Sequence, residues 1–195
     1  MIEYKHDINR LNSLKKRFND GVVEKSLRQS VATATSRVRT YISREVRGVY
    51  PLRAKDLNGK VQIRKYRQMA TRALIYTGRR LPLEQFAPKT RWVTVSSRRK
   101  VKSGPRKGSM ARRRGVSVAI RRDKGRQLVA GGWYAKGEIM RRAKDGSPRI
   151  QYGPSIPGMV AHESVITGAT DVARDVLPRE FSRRMEVLLE EEGKK

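Results

Sequence analysis

The chain contains no cysteine among its 195 residues, which excludes a disulfide framework, a thiol nucleophile and a cysteine-bound zinc site and suits a reducing compartment. Histidine is nearly absent too. His6 and His162 are the only other ready metal ligands, so no metal and no cofactor is expected. No apolar run approaches the roughly 20 residues of a membrane span, and the opening MIEYKHDINR lacks the basic start and apolar run of a signal peptide. A soluble chain without a membrane partner is expected. Enzyme signatures are missing as well: no Walker lysine, GxSxG or HExxH, and no carboxylate pair in a pocket motif. His162 in AHESV sits near Ser164, but a lone histidine at a helix start is more often structural or exposed. The expectation is a protein that is not an enzyme. GGWYAKG lacks the strand, loop and helix context of a phosphate cradle and reads as a bent or closely approached strand.

Acidic residues are scarce: 18 against 46 lysines and arginines, for a net charge of +28 and a pI near 11.3. Such self-repulsion opposes compact folding unless an anionic partner or counterions screen it. The charge is concentrated. Residues 61–150 hold 26 Lys or Arg against Glu84, Asp123, Glu138 and Asp145, a net of +22, while the flanking segments carry +8 and −2. Within that zone residues 96–115 read SSRRKVKSGPRKGSMARRRG. With four glycines and prolines and few large apolar residues, the stretch reads as a mobile arm between strands. Its nine basic residues, Arg98, Arg99, Lys100, Lys102, Arg106, Lys107, Arg112, Arg113 and Arg114, are the candidates for contact with DNA or an acidic partner. Full engagement with phosphates would give a log–log salt slope of roughly −8. Nothing resembles a helix-turn-helix, zinc finger or RNA-recognition motif, so contact is expected to the backbone rather than to base edges. Docking into an acidic protein surface competes with this reading, and sequence leaves both open.

Aromatics make up only 6% of the chain. Trp92, Trp133, Tyr66 and Tyr76 fall in strands near basic residues, where a single-strand stacking platform competes with burial between sheet and helices, and burial is the default. The arginines of IRKYR and MRRAK are evenly balanced between a solvated face and a contact.

Between residues 22 and 46, Val23, Leu27, Val31, Ala34, Val38, Tyr41 or Ile42, and Val46 recur every three or four positions, which predicts an amphipathic helix ended by Gly48 and Pro51. A shorter helix is expected at 8–18. Beyond Pro51 the period drops to two, and five segments between 60 and 136 read as strands of an antiparallel meander. Residues 138–152 read as a hairpin turning at Asp145-Gly146 in a type I′ turn. From about residue 160 the pattern returns to helix, with a kink or fresh start expected at Pro178. The fold class is α+β: a long N-terminal helix and a C-terminal helix packed on a mainly antiparallel sheet, with an extended basic loop and hairpin. One domain spans 1–195, comprising a helical region (1–48), a basic β region (60–152) with the arm at 96–115, and a second helical region (160–195).

Three strings, VYPLRAKDL at 49–57, TGRRLPLEQF at 77–86 and RIQYGPSIPGMV at 149–160, together resemble the minor tail protein Z family of tailed bacteriophages and prophages. The order of elements matches over most of the chain after about residue 20. The resemblance implies a structural virion protein that completes the tail at its head-proximal end, in the neck that joins tail to DNA-filled head. It also implies a homo-oligomeric ring, by family resemblance a hexamer. The implied partners are the tail terminator or tail tube, the head connector and double-stranded genome DNA, with the host cytoplasm as the place of assembly. YGPSIPGMV, stiff and near-neutral, either only sets a turn or is a candidate subunit contact. LPLEQF offers an apolar plug for the protein's own sheet or a neighbour. The interface residues named are therefore Leu81, Pro82, Leu83, Phe86, Tyr152, Pro154, Ile156 and Pro157. A freestanding, sequence-independent nucleic-acid-binding protein is the chief alternative. A nuclease is a weaker one, because the acidic metal site it needs is missing.

Overall fold

A computed structural model of the chain describes residues 20–66, 70–96 and 98–192. The short helix expected at 8–18 lies outside these residues. Helices and antiparallel strands are both present, so the protein is α+β, with one long helix near each end. The chain divides into two compact units, residues up to Ile42 with Val61–Ile75 and Glu163 onward, and Ser43–Lys60 with Tyr76–His162.

The first unit is built on helix α1 (Asp20–Val49), as far as Ile42, and helix α4 (Glu163–Glu192). Along α1 the buried positions are Val23, Ser26, Ser30, Ala34 and Ile42, a stripe at helical spacing. Leu27 and Val31, expected in that stripe, are only half-buried. Serine takes the central places because it is small and can satisfy itself: the Ser30 hydroxyl donates to the Ser26 carbonyl at 2.8 Å. On α4, Arg184 donates to Gln29 Oε1 at 2.8 Å and to Thr33 Oγ1 at 3.3 Å. Gly168, in the second turn of α4, lies against Tyr41, where an added Cβ would come within 2.6 Å of the Tyr41 ring. These contacts set the two helices antiparallel. Of the kink or fresh start expected at Pro178, the fresh start does not occur: the helix continues through that residue. Pro178 is exposed, so water can serve the carbonyl that its missing N–H would have bonded. Strands β1 (Val61–Tyr66) and β2 (Thr71–Tyr76) form a two-stranded sheet, and β1 is exposed beyond Val61.

The second unit holds helix α2 (Ala54–Asn58), strands β3 (Arg80–Pro82), β4 (Lys89–Thr94), β5 (Arg112–Val118), β6 (Gln127–Leu128), β7 (Trp133–Ala135), β8 (Glu138–Arg142), β9 (Pro148–Ile150) and β10 (Tyr152–Ser155), and helix α3 (Ile156–Val160). Its strands make three small sheets, β10–β3, β4–β5–β6 and β7–β8–β9, where one meander was expected. The segment RQLVAGGWYA is divided between two of them. Gly131 adopts φ +70°, and the Gly132 amide donates back to the Val129 carbonyl at 2.9 Å. A Cβ on Gly132 would stand 2.7 Å from Val129 Cγ1, so the double glycine permits a turn that closes one sheet and opens the next.

The core of this unit gathers Leu52, Leu57, Leu81, Leu83, Phe86, Val116, Val118, Ile139, Ile156 and Met159. Strand β10 pairs antiparallel with β3, with Tyr152 opposite Pro82 and Ser155 opposite Arg80. The Leu83 amide donates to the Gln151 carbonyl at 2.9 Å. Against this clasp the Phe86 ring packs so closely on Gly153 that a Cβ there would sit 2.7 Å from Phe86 Cε2. Ser155 then caps α3, its hydroxyl accepting from the Gly158 amide at 3.2 Å. Leu81, Leu83, Phe86 and Ile156, named from sequence as interface residues, are thus buried in their own unit. The apolar plug is taken up within its own unit, the alternative to a neighbour that LPLEQF also allowed. Pro82, Pro154 and Pro157 remain half-buried and Tyr152 is 53% exposed.

Candidate polyanion-binding site

The basic segment at 96–115, expected as a mobile arm between strands, lies between β4 and β5 and forms the far end of their β-hairpin. Six residue pairs, from Lys89↔Ser117 to Thr94↔Arg112, align β4 with β5. Backbone bonding continues past the strand ends: Val95 N–H donates to Ala111 O and Ala111 N–H to Arg99 O, both at 2.8 Å. Lys100 and Met110 form an isolated bridge, and Val101 N–H donates to Ser109 O at 2.9 Å. Gly108, with φ +85°, closes the tip by donating to the Val101 carbonyl at 3.0 Å. Loop composition concealed this pairing because it is carried by main-chain groups.

Eight of the nine basic residues named from sequence are exposed, and Arg113 is half-buried. Among the described residues none of the nine pairs with a carboxylate. Alternation along β5 sorts the last three. Arg113 reaches toward the Gly132 carbonyl at 3.5 Å on one face, while Arg112 and Arg114 share the other face with Thr94 and Trp92. The Arg114 guanidinium lies 5.7 Å from the Trp92 ring centroid, within cation–π range. Trp92 is 58% exposed, so burial, its default from sequence, does not hold; nor does it for Tyr66, which is also exposed. Trp133 and Tyr76 are half-buried. The sequence offered Trp92 as a stacking platform but defaulted to burial, because face assignment depends on which side of the hairpin is covered.

The second hairpin, β8–β9, forms where expected but with a different turn. The Gly146 amide donates to the Ala143 carbonyl at 3.0 Å, the Ala143 amide to the Ser147 carbonyl at 2.8 Å, and Gly146 alone of the turn residues has positive φ, at +80°. That is a three-residue loop with a glycine bulge, which also matches strand twist. Asp145 accepts from both the Ser147 hydroxyl (2.6 Å) and the Ser147 amide (2.9 Å). These bonds, aided by Arg149 at 3.1 Å, hold the Asp145 carboxyl below its ordinary range. Elsewhere in the unit Arg121 makes a two-pronged contact with Asp123, each bond 2.9 Å. That hydrogen bonding lowers the Asp123 carboxyl and raises the Arg121 guanidinium.

As a whole the second unit carries 27 Lys and Arg against six acidic residues, a net of +21. The first unit carries 19 against 12, a net of +7. Charge of this density attracts phosphate or carboxylate polymers whatever their sequence. His162 is exposed just ahead of α4, and no cluster of three or more potential metal ligands occurs among the described residues. No helix among them is long and apolar enough to cross a membrane. No protein-family model, curated protein or solved structure matches the chain.

Proposed function

We propose that the chain is a structural protein of a tailed-phage virion, a tail-completion component at the neck, whose β4–β5 hairpin contacts the phosphate backbone of double-stranded DNA. One observation carries the DNA contact: nine cations on one hairpin with no carboxylate partner among the described residues. Unpaired surface charge of one sign is released from its self-repulsion by phosphates, which give up condensed counterions in exchange. The position in the virion rests on the resemblance of the three strings to the tail-completion family. All three strings fall in the second unit, two of them clasped together through β3–β10 and the Phe86–Gly153 contact. They read as a frame that presents the basic hairpin. In a ring, the hairpins of several copies would repeat that charge around the DNA passage, with Tyr152 as the exposed member of the clasp available for contact between copies.

A freestanding nucleic-acid-binding protein is the second reading, favoured by the exposed Trp92 beside Arg112 and Arg114. A flat aromatic flanked by guanidiniums can stack an unpaired base. A stop codon at Tyr4 in the parent phage or prophage separates the two. Separate full heads and tails in the induced lysate, joined again when the protein is supplied, are the expected result. Normally joined virions would discard the neck assignment and leave the freestanding reading.

A further inference from the structure

Strands β8 and β9 place two arginines face to face. Arg141 lies directly opposite Arg149 in the register, and the neighbouring bonds, Ala143 to Ser147 and Gln151 to Ile139, make it a hydrogen-bonded pair, with Cα atoms about 5.5 Å apart. Like charges in that relation destabilise a sheet. Both side chains line a shallow cleft completed by Arg142, Ala143, Lys144 and Gln151. Among the described residues the one carboxylate paired with any of these cations, Asp145, is fastened to Ser147 and neutralises only Arg149. Arg141 and Lys144 have no acidic partner among the described residues. Arg142 is held apart, its guanidinium 5.8 Å from the Trp133 centroid and bonded to the Gly146 carbonyl at 2.8 Å.

We infer that this cleft is a second phosphate site, separate from the β4–β5 hairpin, in which Arg141, Arg149 and Lys144 hold one backbone phosphate of a nucleic acid. A tetrahedral phosphodiester presents oxygens in several directions, so it can bridge two guanidinium forks and an ammonium at once. A further carboxylate would engage one fork and leave the other cation uncompensated. Asp145 holds Arg149 at 3.1 Å without itself lining the cleft. The inference rests on the reading that the second unit's partner is nucleic acid, and it adds a second point of contact on a different hairpin of that unit.

The test compares the wild-type full chain with R141Q/R149Q. Both residues are exposed, and removing the like-charge pair should leave the melting temperature in phosphate-free buffer equal or higher. Binding of a short labelled duplex, followed by anisotropy across a salt series, should weaken about tenfold at low salt, with the log–log slope shallower by about one unit. Inorganic phosphate should shift the backbone amide resonances of Arg141 and Arg149 in wild type. An unchanged slope and affinity in the variant, with wild type binding duplex normally, would overturn the site and leave the hairpin reading intact. If wild type binds no duplex, the DNA reading itself fails. Amide shifts with phosphate would then mark a free-phosphate site, overturning the nucleic-acid source, and absent shifts would overturn the site altogether.

Discussion

Gly153 shows how much one residue decides here. Its backbone lies outside the left-handed region that demands glycine, so the constraint is steric. A methyl group would meet the Phe86 ring at 2.7 Å. Replacement by alanine is expected to cost about 1–3 kcal/mol, as overpacking of a closed core does. Combining G153A with Phe86→Leu should recover part of that loss, because the ring edge that clashes is gone; additive losses in thermal denaturation would show that the two do not touch. From sequence, Gly153 and Phe86 were separate members of two strings, and both strings suggested an outer contact. Nothing in a linear pattern says that two apolar segments 67 positions apart satisfy each other before they satisfy a neighbour. The basic positions were legible because charge needs no partner to be recognised as exposed. The Arg141–Arg149 pair was not, since it exists only in the register of two strands.

Among the elements, those with a strong local period were readable. Helix α1 extends two or three residues beyond the 22–46 expected at each end. Its buried stripe is nonetheless rotated onto Ser26 and Ser30, because close helix packing rewards small side chains that bond their own backbone. The β8–β9 hairpin was readable from Asp145-Gly146, while its turn type was not: type I′ and the three-residue bulged turn draw on the same residues. The turn carries a pH signature. The Asp145 carboxyl is lowered chiefly by the Ser147 hydroxyl, then by the Ser147 amide. Its contribution is therefore complete above the unfolded carboxyl value, about pH 4, and lost as pH falls through the lower folded value. The Ser147 amide resonance should hold steady from neutral pH to about pH 4 and move below it, and D145N should abolish that acid-side movement. Titration of Ser147 near neutrality would contradict the assignment. The β4–β5 extension was the element least open to sequence, since beyond Val95 its rungs are backbone bonds among residues of low strand preference.

For the molecule as a whole, net charge of +28 makes salt the main external variable. Neutralising Arg98, Arg99, Lys100, Lys102, Arg106 and Lys107 to glutamine should leave the core untouched, since all six are exposed. The thermal midpoint at low salt should stay level or rise as self-repulsion falls. The log–log salt slope for duplex binding should become shallower by about 5. An unchanged slope would move the DNA contact off the hairpin. Charge asymmetry between the units, +21 against +7, was visible in the sequence as a basic middle, whereas the division into three small sheets was not, because turn-forming glycines and strand-bending glycines look alike in isolation. The hairpin tip enters and leaves through one rung, Val95 to Ala111. Beyond that rung every described residue up to Met110 is exposed except the half-buried Val101, so the spelling there is free to change at small folding cost. The tip behaves as an exchangeable address: a graft of another sequence between those two residues would redirect the protein to another partner while the frame that carries it folds as before.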